Sequence, residues 1–165
     1  MFYKVIKNPQ QRELLIKELL KIKVNRETYD YFFKLKPTSL IDKAIRFYFL
    51  NRCSFSGITR WNAFIGDSRW NIERNQESIR NVGEKLKTCK ITSLDFKKVI
   101  IEESSNDVFL FLDPPYAESR QVAAYNKTFT TEDHERLVTL LKDTKFKFLL
   151  TYDNCDYIRD LYIVF

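Results

Sequence analysis

In the second half of the chain the apolar run Val108-Phe109-Leu110-Phe111-Leu112 leads straight into Asp113-Pro114-Pro115-Tyr116. Asp113 and Pro114 each precede a proline, which pushes both toward extended backbone, and neither proline has an amide hydrogen to pair with nearby carbonyls. The product is a stiff turn displaying a carboxylate, free carbonyl oxygens and a phenol ring. That set suits one demanding task, making the amino group of a nucleobase nucleophilic although its lone pair is delocalised into the ring. The Asp113 carboxylate and the Pro114 carbonyl would accept the two amino hydrogens and help the nitrogen become tetrahedral. Tyr116 would stack on a base extruded from the duplex, because the reacting atom is out of reach inside the stack. Catalysis of this kind is positioning plus hydrogen bonding, without a covalent enzyme intermediate. The competing account is that the prolines only end a strand and Tyr116 packs on the surface.

The elements around this turn can be read from spacing. Residues 108–112 form a short continuous apolar run ended by prolines, the pattern of a strand buried on both faces. A helix is expected from Thr130 or Thr131, with Leu137, Val138, Leu140 and Leu141 facing inward, followed by a strand at Phe146-Lys147-Phe148-Leu149-Leu150-Thr151. Strand, helix and strand at this spacing imply a parallel, right-handed crossover, and in open α/β sheets ligands sit beyond the carboxyl ends of the strands, where Asp113 falls. Upstream, Asn8-Pro9 should cap an amphipathic helix carrying Leu14, Leu15, Leu19 and Leu20, with Lys17, Lys21 and Lys23 on its outer face. A second helix should begin at Ser39, with Asp42 reaching back and Ile41, Ala44, Ile45, Tyr48 and Phe49 as its stripe. From Asn51 to Asn75 the residues turn polar, aromatic and basic around Gly57 and Gly66, as in a surface hairpin that touches a partner. Helix is expected again over 76–87, with Ile79, Val82 and Leu86 on one side, and Ser93-Leu94-Asp95-Phe96 reads as a strand end.

Composition sets the bounds. With 165 residues, 44% of them hydrophobic, the chain can bury one sizeable core. A net charge of +6 favours a polyanionic partner. Cys53, Cys89 and Cys155 have no paired spacing, and the single His134 completes no zinc site with them, so reduced thiols in a cytoplasmic protein are expected and no metal. No segment is long and apolar enough for a membrane span, and the start has no signal-peptide pattern.

Asp113-Pro114-Pro115-Tyr116 resembles the catalytic motif of amino-methyltransferases acting on adenine in DNA, the DNA adenine methyltransferase (Dam) family and its restriction-modification relatives. The resemblance runs over nearly the whole chain. Leu50-Asn51-Arg52-Cys53-Ser54-Phe55-Ser56-Gly57-Ile58-Thr59-Arg60-Trp61-Asn62 is similar to the family's Leu-Asn-Arg, aromatic-Asn-Gly and Arg-aromatic-Asn stretch, which belongs to its DNA-recognition hairpin. It implies that Phe55 and Ile58 insert near the vacated base, that Arg60 contacts a base edge or phosphate, and that Arg52 and Asn62 support the loop. Ser56 stands where the family has Asn. Asp95-Phe96 resembles the pair that binds the adenine of S-adenosylmethionine through a carboxylate and a backbone amide, and the resemblance also places Asp113 beside the cofactor. A helix or turn cap is the other account of Asp95. Thr128-Phe129-Thr130 and the stretch from Leu150 to Asn154 also look like family segments, the latter with Tyr152 to Asn154 lining the base pocket.

The implied fold is α/β, a partial Rossmann-like methyltransferase sheet with a small, mainly helical DNA-recognition insertion. Residues 1–88 would hold the helices and the hairpin, and 89–165 the catalytic α/β part. The family's Phe-x-Gly-x-Gly cofactor loop and its acidic ribose-binding residue have no counterpart here. Leu161-Tyr162-Ile163-Val164-Phe165 looks like the run-up to the closing strands, so a truncated or split chain is expected. The partners expected are double-stranded DNA and either a cognate restriction endonuclease or a missing N-terminal segment. Methyl transfer to the adenine N6 amino group leads. The alternatives are a non-catalytic DNA-binding remnant and an amino-methyltransferase acting on cytosine, RNA or protein.

Overall fold

Asn8 precedes Pro9, and the pair starts a helix as its chemistry dictates. The Asn8 side chain accepts the amide of Gln11 at 3.0 Å, and Pro9 occupies the first turn, where no amide is needed. The structure, a computed structural model, describes residues 1–57, 60–101, 107–117 and 129–163. They form two units, Met1–Ile91 and Thr92–Phe165.

The first unit is helical. It comprises α1 (Phe2–Lys7), α2 (Pro9–Leu20), α3 (Arg26–Lys34), α4 (Leu40–Cys53) and α5 (Ile72–Lys85). Asn25, Ser39 and Asn71 cap α3, α4 and α5 through their side chains. Asp42 reaches back to Ser39 as expected, but it receives the Ser39 hydroxyl at 2.6 Å. In this unit two helices are additional to those expected, α1 and α3; the stripe of α3 is aromatic, with Tyr29, Phe32 and Phe33 packed in the core. Helix α5 begins at Ile72, ahead of the expected 76, because Asn71 supplies the cap and Ile72 is buried. Leu15 and Leu19 enter the core of α1, α2, α4 and α5, whereas Leu14, Leu20 and Val82, expected to face inward, are exposed. The place of Val82 is taken by Gly83, which lets the buried Arg12 lie against α5. Arg12 donates to the carbonyls of Ile6 and Arg80 and pairs with Glu84 at 2.6 Å, tying α1, α2 and α5 around one guanidinium.

The second unit contains α6 (Phe96–Ile100), β1 (Phe109–Leu112), α7 (Thr131–Asp143), β2 (Lys147–Leu150) and α8 (Asp156–Tyr162). β1 and β2 pair in parallel, Phe109 with Lys147 through Leu112 with Leu150. This is the strand, helix, strand unit expected, with α7 started by a capping box between Thr130 and Asp133. The chain is thus of mixed α/β class, with a small two-stranded parallel sheet.

Two expectations are corrected here. β1 is not buried on both faces: Leu110 and Leu112 pack with Phe148, Leu150, Leu137 and Leu141, while Phe109 and Phe111 are exposed. A strand is covered on both sides only where layers lie on both sides, and among the described residues α6 and α7 supply one. Ser93 to Phe96 does not end a strand; Asp95 caps α6. Leu161 and Tyr162 are the last two residues of α8. Val164 and Phe165 lie outside the described residues. Among the described residues no helix is long and apolar enough to cross a membrane.

Candidate functional site

The turn at the carboxyl end of β1 is held at both ends by the chain leaving β2. The Thr151 amide donates to the Leu112 carbonyl at 3.0 Å, which extends the sheet pairing by one residue. The Thr151 hydroxyl donates to Asp113 Oδ1 at 2.8 Å, and the amide of Ala117 donates to Asp153 Oδ1 at 3.2 Å. Asp113 itself is exposed, Pro114 and Pro115 are half-buried, and Tyr116 is 40% exposed. The carboxylate and the phenol ring therefore face outward, with the prolines between them partly packed. An outward carboxylate, a proline carbonyl and an open ring face can together hold a planar amine-bearing ring by hydrogen bonds and stacking.

Behind the turn lies an aromatic cluster that spacing did not announce. The Tyr152 ring centroid is 6.4 Å from that of Tyr116, 5.5 Å from that of His134 and 5.7 Å from that of Tyr162. His134 Nδ1 and the Tyr152 hydroxyl share a hydrogen bond at 2.6 Å. Burial lowers the His134 pKa, partly opposed by Asp153 and Asp133, and raises that of Tyr152, so both stay neutral at physiological pH. His134 and Tyr152 thus support the turn as a hydrogen-bonded, uncharged pair.

Asp95 and Phe96 stand at the start of α6. Asp95 Oδ1 accepts the Lys97 amide at 2.9 Å and Oδ2 accepts Arg136 at 3.0 Å, while the Arg136 guanidinium lies 4.4 Å from the Phe96 ring centroid. The side chain of Asp95 is nevertheless 44% exposed, and a carboxylate has further lone pairs to offer. As the first residue of α6, Phe96 has an amide that a helix leaves without an internal partner.

In the first unit, the segment after α4 closes on itself as a short hairpin. Ser54 pairs with Phe64 in an antiparallel bridge, and the Ile65 amide donates to the Cys53 carbonyl at 3.0 Å. Between them run two 3₁₀ turns, Phe55–Gly57 and Trp61–Ala63. Phe55, Ser56, Arg60 and Asn62 are exposed at its tip. Arg52 is half-buried at the end of α4, its guanidinium 5.5 Å from the Tyr48 ring centroid. Ile58 lies outside the described residues, as does Thr128. Ser56 has φ +51° and Gly57 φ +72°; a serine in this left-handed region carries strain that glycine avoids and asparagine bears more easily. Three supports of the hairpin were not legible in its own residues: Tyr29, whose hydroxyl meets Ser54 and Arg60; Arg69, which donates to the Ser54 carbonyl at 3.2 Å; and Arg26, stacked 4.4 Å from the Trp61 ring centroid. Asn25, capping α3 three residues before Thr28, was the signal available for the helix carrying the first and last of these.

Comparison with known proteins agrees in direction. The chain is 31% identical over 169 aligned residues to "Type II methyltransferase M.CviBI" of Paramecium bursaria Chlorella virus NC1A, covering 97% of this chain and 63% of that relative. It is 29% identical over 138 residues to "DNA N-6-adenine-methyltransferase" of Escherichia phage P1, covering 74% of this chain and 18% of that one. The chain therefore spans less than two thirds of either relative's length. A family model matches all of residues 1–165, and the chain belongs to the D12 class N6 adenine-specific DNA methyltransferases.

Proposed function

We propose that this protein transfers a methyl group from S-adenosylmethionine to the N6 amino group of adenine at specific sites in double-stranded DNA. The observation that carries the reading is the outward-facing turn from Asp113 to Tyr116, pinned by Thr151 and Asp153, in a chain of this family. In this reading Asp113 Oδ2 and the Pro114 carbonyl take the two hydrogens of the target amine, Pro115 keeps Pro114 extended, and Tyr116 covers the face of the flipped base. Holding both hydrogens favours the tetrahedral nitrogen, whose lone pair is then free to form the new bond, and the surplus proton of the methylated amine would leave through the Asp113 carboxylate to solvent. S-adenosylmethionine, when bound, would supply the methyl group by breaking its methyl–sulfur bond and would leave as S-adenosylhomocysteine.

Asp95 and Phe96 fit the adenine end of that cofactor, one as an exposed carboxylate acceptor and the other as a helix-start amide donor, with Asp113 in the same unit. Arg52, Phe55, Ser56, Ile58, Arg60 and Asn62 form the DNA-recognition element, and the net charge of +6 supports a polyanionic partner. The division of labour, recognition in 1–88 and catalysis in 89–165 on a Rossmann-like sheet, belongs to the same proposal. So do a cytoplasmic setting, in keeping with free Cys53, Cys89 and Cys155, and a cognate restriction endonuclease as a partner.

The test is incubation of the protein with tritiated cofactor and mixed-sequence duplex DNA, followed by mass analysis of the nucleosides. Label in N6-methyladenine that disappears in Asp113→Ala is the expected result. Label in another base, or undiminished turnover by Asp113→Ala, overturns the assignment.

A further inference from the structure

Tyr29 lies outside the hairpin, on α3, yet its phenol oxygen is the point at which both limbs of the hairpin meet. The residue is fully buried, and its ring packs against Phe33, Phe49 and Phe64. Its hydroxyl is 2.6 Å from the Arg60 carbonyl and 2.9 Å from Ser54 Oγ, and Ser54 Oγ is 2.5 Å from the Leu50 carbonyl. Proton counting fixes the direction at Tyr29. The Arg60 carbonyl can only accept, so the single Tyr29 proton goes to it, and Ser54 has one proton for two acceptors, the Leu50 carbonyl and the Tyr29 oxygen. Ser54 is a bridge residue of the hairpin, and Arg60 lies between it and its bridge partner Phe64. On the same helix, Arg26 stacks on Trp61, the residue after Arg60.

We propose that Tyr29 is a positioning residue for DNA sequence discrimination. By holding the Arg60 carbonyl, it fixes the direction in which Arg60, Trp61 and Asn62 leave the hairpin. The proposal rests on the reading of this hairpin as the DNA-recognition element. Charge attraction to phosphates tolerates a shift of the loop, because it falls off gradually with distance. Hydrogen bonds to base edges do not, because they depend on direction. Loosening the Arg60 backbone therefore reduces the preference for one sequence more than it reduces total affinity.

The experiment compares the full chain with Tyr29→Phe, Ser54→Ala and Arg60→Ala on a library of randomised duplexes, sequencing the bound fraction and recording Tm for each variant. Phenylalanine keeps the ring packing and removes only the hydroxyl. The wild type enriches one short motif, Tyr29→Phe keeps total affinity within about threefold and loses about tenfold of the preference, and Ser54→Ala keeps the preference because the bond from Tyr29 to Arg60 remains. If Tyr29→Phe lowers Tm and leaves the preference intact while Arg60→Ala reduces it, Tyr29 is a packing residue and this proposal alone is overturned. If Arg60→Ala changes neither affinity nor preference, or the wild type enriches no motif, the hairpin reading fails and takes the proposal with it.

Discussion

The hydroxyl of Thr151, the first residue after β2, donates to Asp113 Oδ1 at 2.8 Å, while its amide extends the pairing of the two strands. One residue thus ties the carboxylate of the turn to the sheet and leaves Oδ2 for a partner outside. Thr151→Val keeps the shape and deletes the donor, so Asp113 loses its fixed orientation. Methyl transfer at saturating DNA and cofactor should fall about tenfold, roughly 1.4 kcal/mol in the barrier, with both KM values little changed. Thr151→Ser should retain most of the rate. Equal rates for Thr151→Val and wild type would remove the orienting role.

Ser56 occupies the left-handed backbone region at φ +51°. Replacing it with Asn, whose side chain bonds locally and tolerates this conformation, should stabilise the first unit by about 0.5 kcal/mol, and Gly by a similar amount. Urea unfolding followed by the fluorescence of Trp61 and Trp70 measures this, and a lower midpoint for Ser56→Asn would contradict it.

Gly83 is buried in α5 where an added Cβ would collide with the Ile6 carbonyl and the Arg12 guanidinium. Neither can retreat cheaply, since the carbonyl is backbone of α1 and the guanidinium is hydrogen-bonded on three sides. Gly83→Ala should therefore destabilise by about 2 kcal/mol despite the better helix propensity of alanine. The same urea experiment checks it, and a neutral outcome would mean that α1 slides freely on α5.

His134 is 4% exposed, and burial lowers its pKa from the ordinary value of 6.5. The unfolded chain then takes up a proton more readily than the folded one. The contribution is complete above the unfolded value and is lost as pH falls through and below it. Melting of the second unit should move to lower temperature between about pH 7.5 and about pH 5.5, and His134→Asn, which retains an acceptor near Nδ1, should flatten that dependence. An unchanged slope in the variant would assign the acid sensitivity to other groups.

The sequence by itself determined what depends on neighbours along the chain. Asn8, Ser39 and Thr130 cap helices because a side chain meets an amide three residues on, and the prolines after Asp113 stop β1 by their own geometry. The parallel pairing of β1 and β2 followed from strand, helix and strand in succession. The tertiary structure decided what depends on which layers are present. An apolar run such as Phe109 to Leu112 has the same spacing whether one face or both are covered, so the exposure of Phe109 and Phe111 was not legible. The cap at Asp95 was one of two accounts the sequence offered, and packing chose it, since a carboxylate followed by an aromatic ring suits a cap as well as a strand end. Thr151 on Asp113 and Tyr29 on Arg60 bring together residues 38 and 31 positions apart, and a hydrogen bond over that separation is written only in the fold, because direction and distance between remote groups are set by packing.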